Sequence, residues 1–264
     1  MEQEIIKKYK KIKKWHLIIN IIPILITIAI LKFLFYKYGF EILTLNALFT
    51  SLIAGTIFLI GFLLNGVLSD YKESEKLPGE MANSLETLYD EIYIVNKNKN
   101  TQLTKEFLTY YLGFIISVND WFYRKEKTTN IIEKIHKMDN YFAELENIMQ
   151  ANFLSKMKSE QSNLRKMIIR IDNIRDTSFI QSAYAILETL SFFLIIGLLM
   201  LKIGNFYESL FFTILVAFLI IYMVLLIRDL DNPFEYNKNG EEEGTVVSIK
   251  PIKDLINRIS KNNK

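Results

Sequence analysis

Residues 43–64 carry no charged side chain, and a run of that length crosses the roughly 30 Å hydrocarbon core of a bilayer as a helix. Three more stretches have the same character: Leu17–Tyr36, about Ala183–Leu201 and about Phe206–Ile227. Half of the chain is hydrophobic and 23% is charged, and the two classes are segregated. The apolar runs lie toward the two ends, with a polar middle between them. The sequence therefore predicts an all-α membrane protein with four transmembrane helices and a cytoplasmic helical bundle. Its expected regions are 1–68 (basic N-terminus and first two spans), 69–179 (helical, coiled-coil-like), 180–228 (last two spans) and 229–264 (tail).

Lysine and arginine set the expected orientation. Lys7, Lys8, Lys10, Lys11, Lys13 and Lys14 precede the first span, and Arg170, Arg175 and Arg228 fall on the same side of the membrane as they do. Only Lys37 and Lys202 fall on the other side. Positive charge is retained on the cytoplasmic side, so the chain is expected in the cell membrane with both termini and the middle region cytoplasmic. The run from Leu17 is too long for the apolar part of a signal peptide and lacks a small-residue cleavage site. A kink is expected at Pro23, and Lys32, near the end of this span, is expected to snorkel to the interface. The short link Lys37–Glu41 makes the first two spans an antiparallel hairpin.

The second apolar run has a face unlike a lipid-facing one. At a spacing of seven stand Thr44, Ser51, Phe58 and Asn65, and beside them Leu48, Gly55, Phe62 and Ser69. Small residues suit close helix packing. Two aromatics a turn apart, amid small and polar residues, also suit the hydrophobic constriction of a pore. Spacing alone leaves both readings open.

Beyond this run, Gly61-Phe62, Asn65, Glu73, Lys76-Leu77 and Gly79 resemble, without gaps, the end of the second membrane helix of prokaryotic bestrophins. Asn232-Pro233-Phe234, after the last span, is similar to another motif of that family. One stretch departs from it: Asp70-Tyr71-Lys72 stands where the family has Arg-Trp-Trp. The resemblance implies passive conduction of small anions such as chloride through a central pore of a homo-oligomer, pentameric on the family pattern. The implied pore-lining residues are Ala54, Phe58 and Phe62, with Ser51, Gly55 and Asn65 on the same helix. The alternative is a non-conducting membrane scaffold or sensor whose coiled-coil helices bind a partner.

The middle region is expected to be helical nearly throughout. Leu85, Leu88, Ile92 and Val95 repeat at three and four residues, opened by Ser84 as N-cap, and Asn96–Asn100 forms a polar break. Leu103, Phe107, Tyr111, Phe114, Val118 and Phe122 make the next apolar face. Ile131, Ile135, Met138, Phe142, Leu145 and Met149 alternate four and three. Leu154, Met157, Gln161, Leu164, Ile168 and Ile171 form a further seam, interrupted by one glutamine. Such seams predict a bundle, within one subunit or between subunits. A short amphipathic helix is expected at 251–259, with Pro251 in its first turn and Ile252, Leu255, Ile256 and Ile259 on one face.

Several chemistries find no support. The absence of cysteine removes disulfides, thiolate metal sites and cysteine nucleophiles. His16 and His136 have no partner at metal-ligand spacing. There is no phosphate loop, nucleophile elbow or zinc-helix motif, so neither an enzyme nor a cofactor is expected. The net charge of +3 is concentrated in the N-terminal block; it points to the bilayer surface rather than to nucleic acid. Animal bestrophins hold calcium with acids that follow Asn-Pro-Phe. Here Asp229 and Asn232 are followed by Glu235-Tyr-Asn-Lys-Asn-Gly, and the acidic run comes only at Glu241, Glu242 and Glu243, too sparse for six to eight oxygen ligands. Glu188, inside the third apolar run, is an ionisable candidate; it is either buried there or reaches water at the interface.

Overall fold

The computed structural model describes residues 2–176, 181–236 and 245–262, without the side chains of residues 2–14, 181 and 262. The side chains of the six N-terminal lysines, and Glu241, Glu242 and Glu243, lie outside the described residues. In chain order the elements are α1 (Glu2–Lys37), β1 (Leu43–Thr44), α2 (Ala47–Lys99), α3 (Gln102–Phe122), α4 (Thr128–Leu145), α5 (Ala151–Asp176), α6 (Gln181–Met200), β2 (Leu201–Lys202), α7 (Phe206–Asp231) and α8 (Lys250–Asn262). Four helical stretches are long and apolar enough to cross a membrane: Trp15–Lys37, part of Ala47–Lys99, Ser182–Met200 and Phe206–Asp231. The chain is an all-α membrane protein, as expected.

The chain divides into two compact units, Met1–Tyr71 with Ser178–Asp231, and Lys72–Thr177 with Asn232–Lys264. The first, the membrane unit, is built on the apolar spans. Its core joins Ile60, Leu63 and Val67 of α2 to Leu187, Leu194 and Leu198 of α6 and Ile220, Ile227 and Leu230 of α7. A second cluster joins Ile28 of α1 to Leu199 and Ala217. Gly197 permits close approach of α2, since a Cβ there would meet the Phe49 ring at 2.7 Å.

Two expectations for this unit change. The second span begins at Ala47, not Leu43. The Asn46 side chain accepts the Phe49 amide at 2.9 Å and caps the helix, while Leu43 and Thr44 pair in parallel with Leu201 and Lys202. Thr44 therefore stands off the helical stripe. Pro23 lies inside α1, which continues through it with Ile21 and Ile28 buried on either side. Lys32 does not snorkel; it is fully buried.

In the second unit, α2 passes through Pro78 and Gly79 and ends only at Lys99. Leu77, Met81, Ala82, Leu85, Leu88 and Ile92 are buried on both sides of the proline, and this packing outweighs the one backbone bond that proline removes. Ser84 is consequently a buried mid-helix residue and not an N-cap. The polar break narrows to its last residue: 96–99 stay in α2, Asn100 turns the chain with a positive φ of 46°, and Thr101 and Thr104 close a reciprocal capping box that starts α3. Tyr111, buried on α3, donates its hydroxyl to the Leu85 carbonyl at 3.0 Å, and burial raises its pKa well above the ordinary tyrosine value.

The four-three seams face one another inside this unit. Ile131, Ile135, Met138, Phe142 and Leu145 are buried on α4, as are Leu154, Met157, Gln161, Leu164, Ile168 and Ile171 on α5. The first seam stops one step early, because α4 ends at Leu145 and Met149 lies half-buried in the following turn. Gln161 fits an apolar seam because its amide donates to the Ile135 carbonyl (2.8 Å) and to Asp139 (3.0 Å). Ile252, Leu255 and Ile259 of α8 are buried, and Arg258 grips Glu86 with two bonds of 3.2 and 2.7 Å. Phe234 is fully buried, its ring 6.2 Å from that of Phe122. Arg175 caps the end of α3, donating to the carbonyls of Trp121 (3.3 Å) and Phe122 (2.9 Å) with its guanidinium 4.4 Å over the Trp121 ring. Burial pulls its pKa down to about 10, so it stays charged at neutral pH.

Candidate functional site

One face of α2 turns inward with Thr56, Ile60, Leu63 and Val67. The opposite face carries Ser51, Ala54, Gly55, Phe58, Phe62 and Asn65, and every one of them is exposed. Phe58 is 77% and Phe62 68% exposed, which is extreme for phenylalanine. A Cβ added at Gly55 or Gly61 would meet nothing within 4 Å. The six candidate residues thus share one helix face, and among the described residues no other helix packs on it.

This face differs from the other exposed surface of the membrane unit. The exposed side chains of α1 include Ile22, Ile24, Ile26, Ile30 and Phe33, and α6 and α7 expose Ile186, Phe192, Phe193, Phe211 and Leu219. Large apolar side chains of that kind suit lipid. The α2 face alternates small residues with two rings and has a hydroxyl and an amide at its ends, Ser51 and Asn65. Polar groups have no hydrogen-bond partner in hydrocarbon, so this composition suits water or a further protein surface.

Glu188 lies on α6 and forms an ion pair with Arg228 on α7. The two side chains are 46% and 53% exposed, so this pair closes one end of the α6–α7 hairpin at an accessible position. Beyond α7, the Asn232 amide donates to Glu235 at 2.7 Å. Among the described residues no group of three or more histidines or acids gathers as a metal set.

The sequence reading missed a second polar cluster. Lys32 Nζ donates to the carbonyls of Leu198 and Leu199, each at 3.2 Å, and to that of Leu201. It also pairs at 2.7 Å with Glu41, which is 7% exposed. Ser209 and Thr213 of α7 add their hydroxyls to the carbonyls of Leu201 (3.1 Å) and Leu198 (3.3 Å). The lysine therefore satisfies the open carbonyls at the end of α6, where a helix favours positive charge. The available signal was a lone lysine late in an apolar span, followed by a lone glutamate in the next short link.

No family model matches the chain, and no curated protein does. Solved structures do. A variant of a bacterial bestrophin homologue from Klebsiella pneumoniae aligns over 92% of this chain and 97% of its own, with a TM-score of 0.72 at 15% identity. Another structure of a bestrophin homologue from that organism aligns over 93% and 96%, with a TM-score of 0.71 at 15% identity. A structure described as a membrane protein aligns over 92% and 96%, with a TM-score of 0.72 at 14% identity. At this identity the likeness is one of architecture, and it spans nearly the whole chain: this protein has the bestrophin fold.

Proposed function

We propose that the protein is a bestrophin-like channel that passes small anions such as chloride through a central pore of a homo-oligomer. The observation that carries this reading is the unpartnered α2 face with Phe58 and Phe62 at its centre. Arranged around a symmetry axis, these rings form a dry constriction, and Ser51 and Asn65 wet the lumen on either side of it. The positive edge of a phenylalanine ring tolerates a passing anion. Ala54 and Gly55 keep the wall thin between the polar positions and the rings. A pentamer is the assembly that the resemblance implies. Chloride efflux from liposomes holding the purified chain tests the reading: efflux above that of empty liposomes supports conduction, and its absence opposes it.

In the scaffold alternative the coiled-coil helices bind a partner. The seam residues of α4 and α5 are buried within the chain's own core, which favours the channel reading.

We further infer a cell-membrane location with both termini and the helical bundle cytoplasmic, from the bias of lysine and arginine. A single cysteine placed at Asn100, in the turn between α2 and α3, reports on this directly because the chain has no other. A membrane-impermeant maleimide should label it in opened vesicles and leave it untouched in intact cells. Labelling from outside intact cells would reverse the orientation.

A further inference from the structure

Two helices of the membrane unit carry matched ends. On α1, Trp15 and Tyr36 are both exposed and stand 21 residues apart, about 32 Å along the axis at 1.5 Å per residue. On α7, Tyr207 and Arg228 are again 21 residues apart. The hydrocarbon core of a bilayer is about 30 Å thick, so each helix has an amphipathic or charged side chain ready for both of its faces. The helices run antiparallel. Phe206 meets Tyr36 at one level, with ring centroids 4.7 Å apart, and Ala217 packs with Ile28 further along.

Where α1 finishes and α7 starts, aromatic side chains form a corner. The Phe206 ring also lies 6.0 Å from that of Phe33 and 5.7 Å from that of Tyr207, while Tyr38 lies 6.4 Å from Phe40. Tyr38 and Tyr207 are 65% and 80% exposed, more than any contact within the chain would leave them. Lys37 is exposed beside them, with Nζ 6.0 Å from the centre of the Tyr38 ring. Away from the corner the exposed side chains of the two helices change character. They include Ile26, Ile30, Phe211, Leu215 and Leu219. The exposed Thr27 returns its hydroxyl to the Pro23 carbonyl at 3.0 Å, which satisfies it without water.

We propose that Tyr36, Tyr38, Tyr207 and Lys37 form a lipid-headgroup surface that seats in the phosphate and glycerol zone of one phospholipid leaflet. A tyrosine has an apolar ring and a polar tip, and it suits a boundary that is dry on one side and wet on the other. A lysine in that zone keeps its stem against apolar groups and presents its ammonium to phosphate oxygens. The other occupant to consider is a second copy of the chain. Continuity favours lipid: the corner prolongs the apolar surface of α1 and α7, and it lies one hydrocarbon thickness from Trp15 and Arg228. Contact with a protein requires neither feature. The inference uses the membrane spans and not the pore.

The test is site-directed spin labelling of the purified full-length chain in phosphatidylcholine vesicles. Labels are attached to Tyr38→Cys, Tyr207→Cys and Leu215→Cys, one per variant, since the chain has no cysteine of its own. Collisions with oxygen, which concentrates in hydrocarbon, and with a water-soluble nickel chelate give the depth of each label. Labels at 38 and 207 should meet both reagents at the headgroup level. The label at 215, eight residues further along α7, should lie about 12 Å deeper. All three variants should melt like wild type, because the replaced side chains are exposed. Labels at 38 and 207 that are immobile and shielded from both reagents would mean that a second copy covers the corner, and the proposal falls. Labels that meet the chelate as in open water, or oxygen alone as at 215, would overturn it as well. Chloride flux enters none of these readings, so the outcome is independent of the pore.

Discussion

Lys32→Ala should destabilise the membrane unit by about 3–5 kcal/mol, the usual effect of removing one partner from a buried ion pair. The change strands the nearly buried Glu41 carboxylate and opens three backbone carbonyls at the end of α6. Glu41→Gln should do less damage, because the ammonium keeps those carbonyls as acceptors. Pairing Lys32→Met with Glu41→Gln should recover part of the loss by removing both charges while keeping most of the volume. Thermal melting of the purified protein in detergent measures all three. If Lys32→Ala melts with wild type, the lysine reaches water and the buried cluster does not exist.

Replacing Ile135 and Phe142 with aspartate should abolish a stable bundle. Both residues are fully buried on α4, and each substitution puts an unpaired charge in an apolar seam, which costs several kcal/mol even after the group takes up a proton. Two such changes reach the whole stability of an ordinary domain, about 5–15 kcal/mol. Circular dichroism and size exclusion should report lost helix and aggregation. The exposed control Lys137→Asp, one position beyond His136 on the same helix, should leave both signals unchanged. A double seam variant with wild-type melting would mean that α4 buries nothing on this face.

The residues that expressed a period were legible in the sequence. The spans followed from uncharged length, and the seams of α4 and α5 from an alternation of four and three, because burial imposes the helix period on the chain. The stripe of α2 was legible as a face, but spacing could not say whether another helix covers it; only the exposure of Phe58 and Phe62 separates packing inside the chain from an open surface. What escaped lacked a local signal. Ser84 reads as an N-cap, yet Leu77 and Met81 are buried on either side of Pro78 and the helix runs on through it. Leu43 and Thr44 continue an uncharged run, but Asn46 caps the helix after them and they pair with Leu201 and Lys202 instead. Lys32 and Glu41 have simple neighbours in sequence, and their partner, the end of α6, lies more than 150 residues away, as the pairing of Lys32 with the carbonyl of Leu198 across |i−j| = 166 shows.

The central claim is that Phe58 and Phe62 form the constriction of a pore, and one paired measurement tests it most directly. Chloride flux and thermal melting are recorded on the same preparation for wild type and for Phe58→Ala with Phe62→Ala. The wider, more readily wetted opening should raise flux several-fold, on the logic that a hydrophobic constriction gates by drying. Melting should stay close to wild type, because both rings are largely exposed within the chain. Buried rings would behave in the opposite way, each truncation costing about 3–5 kcal/mol. If both proteins are silent to chloride while the double variant melts earlier, Phe58 and Phe62 are packing residues and the α2 face lines no pore.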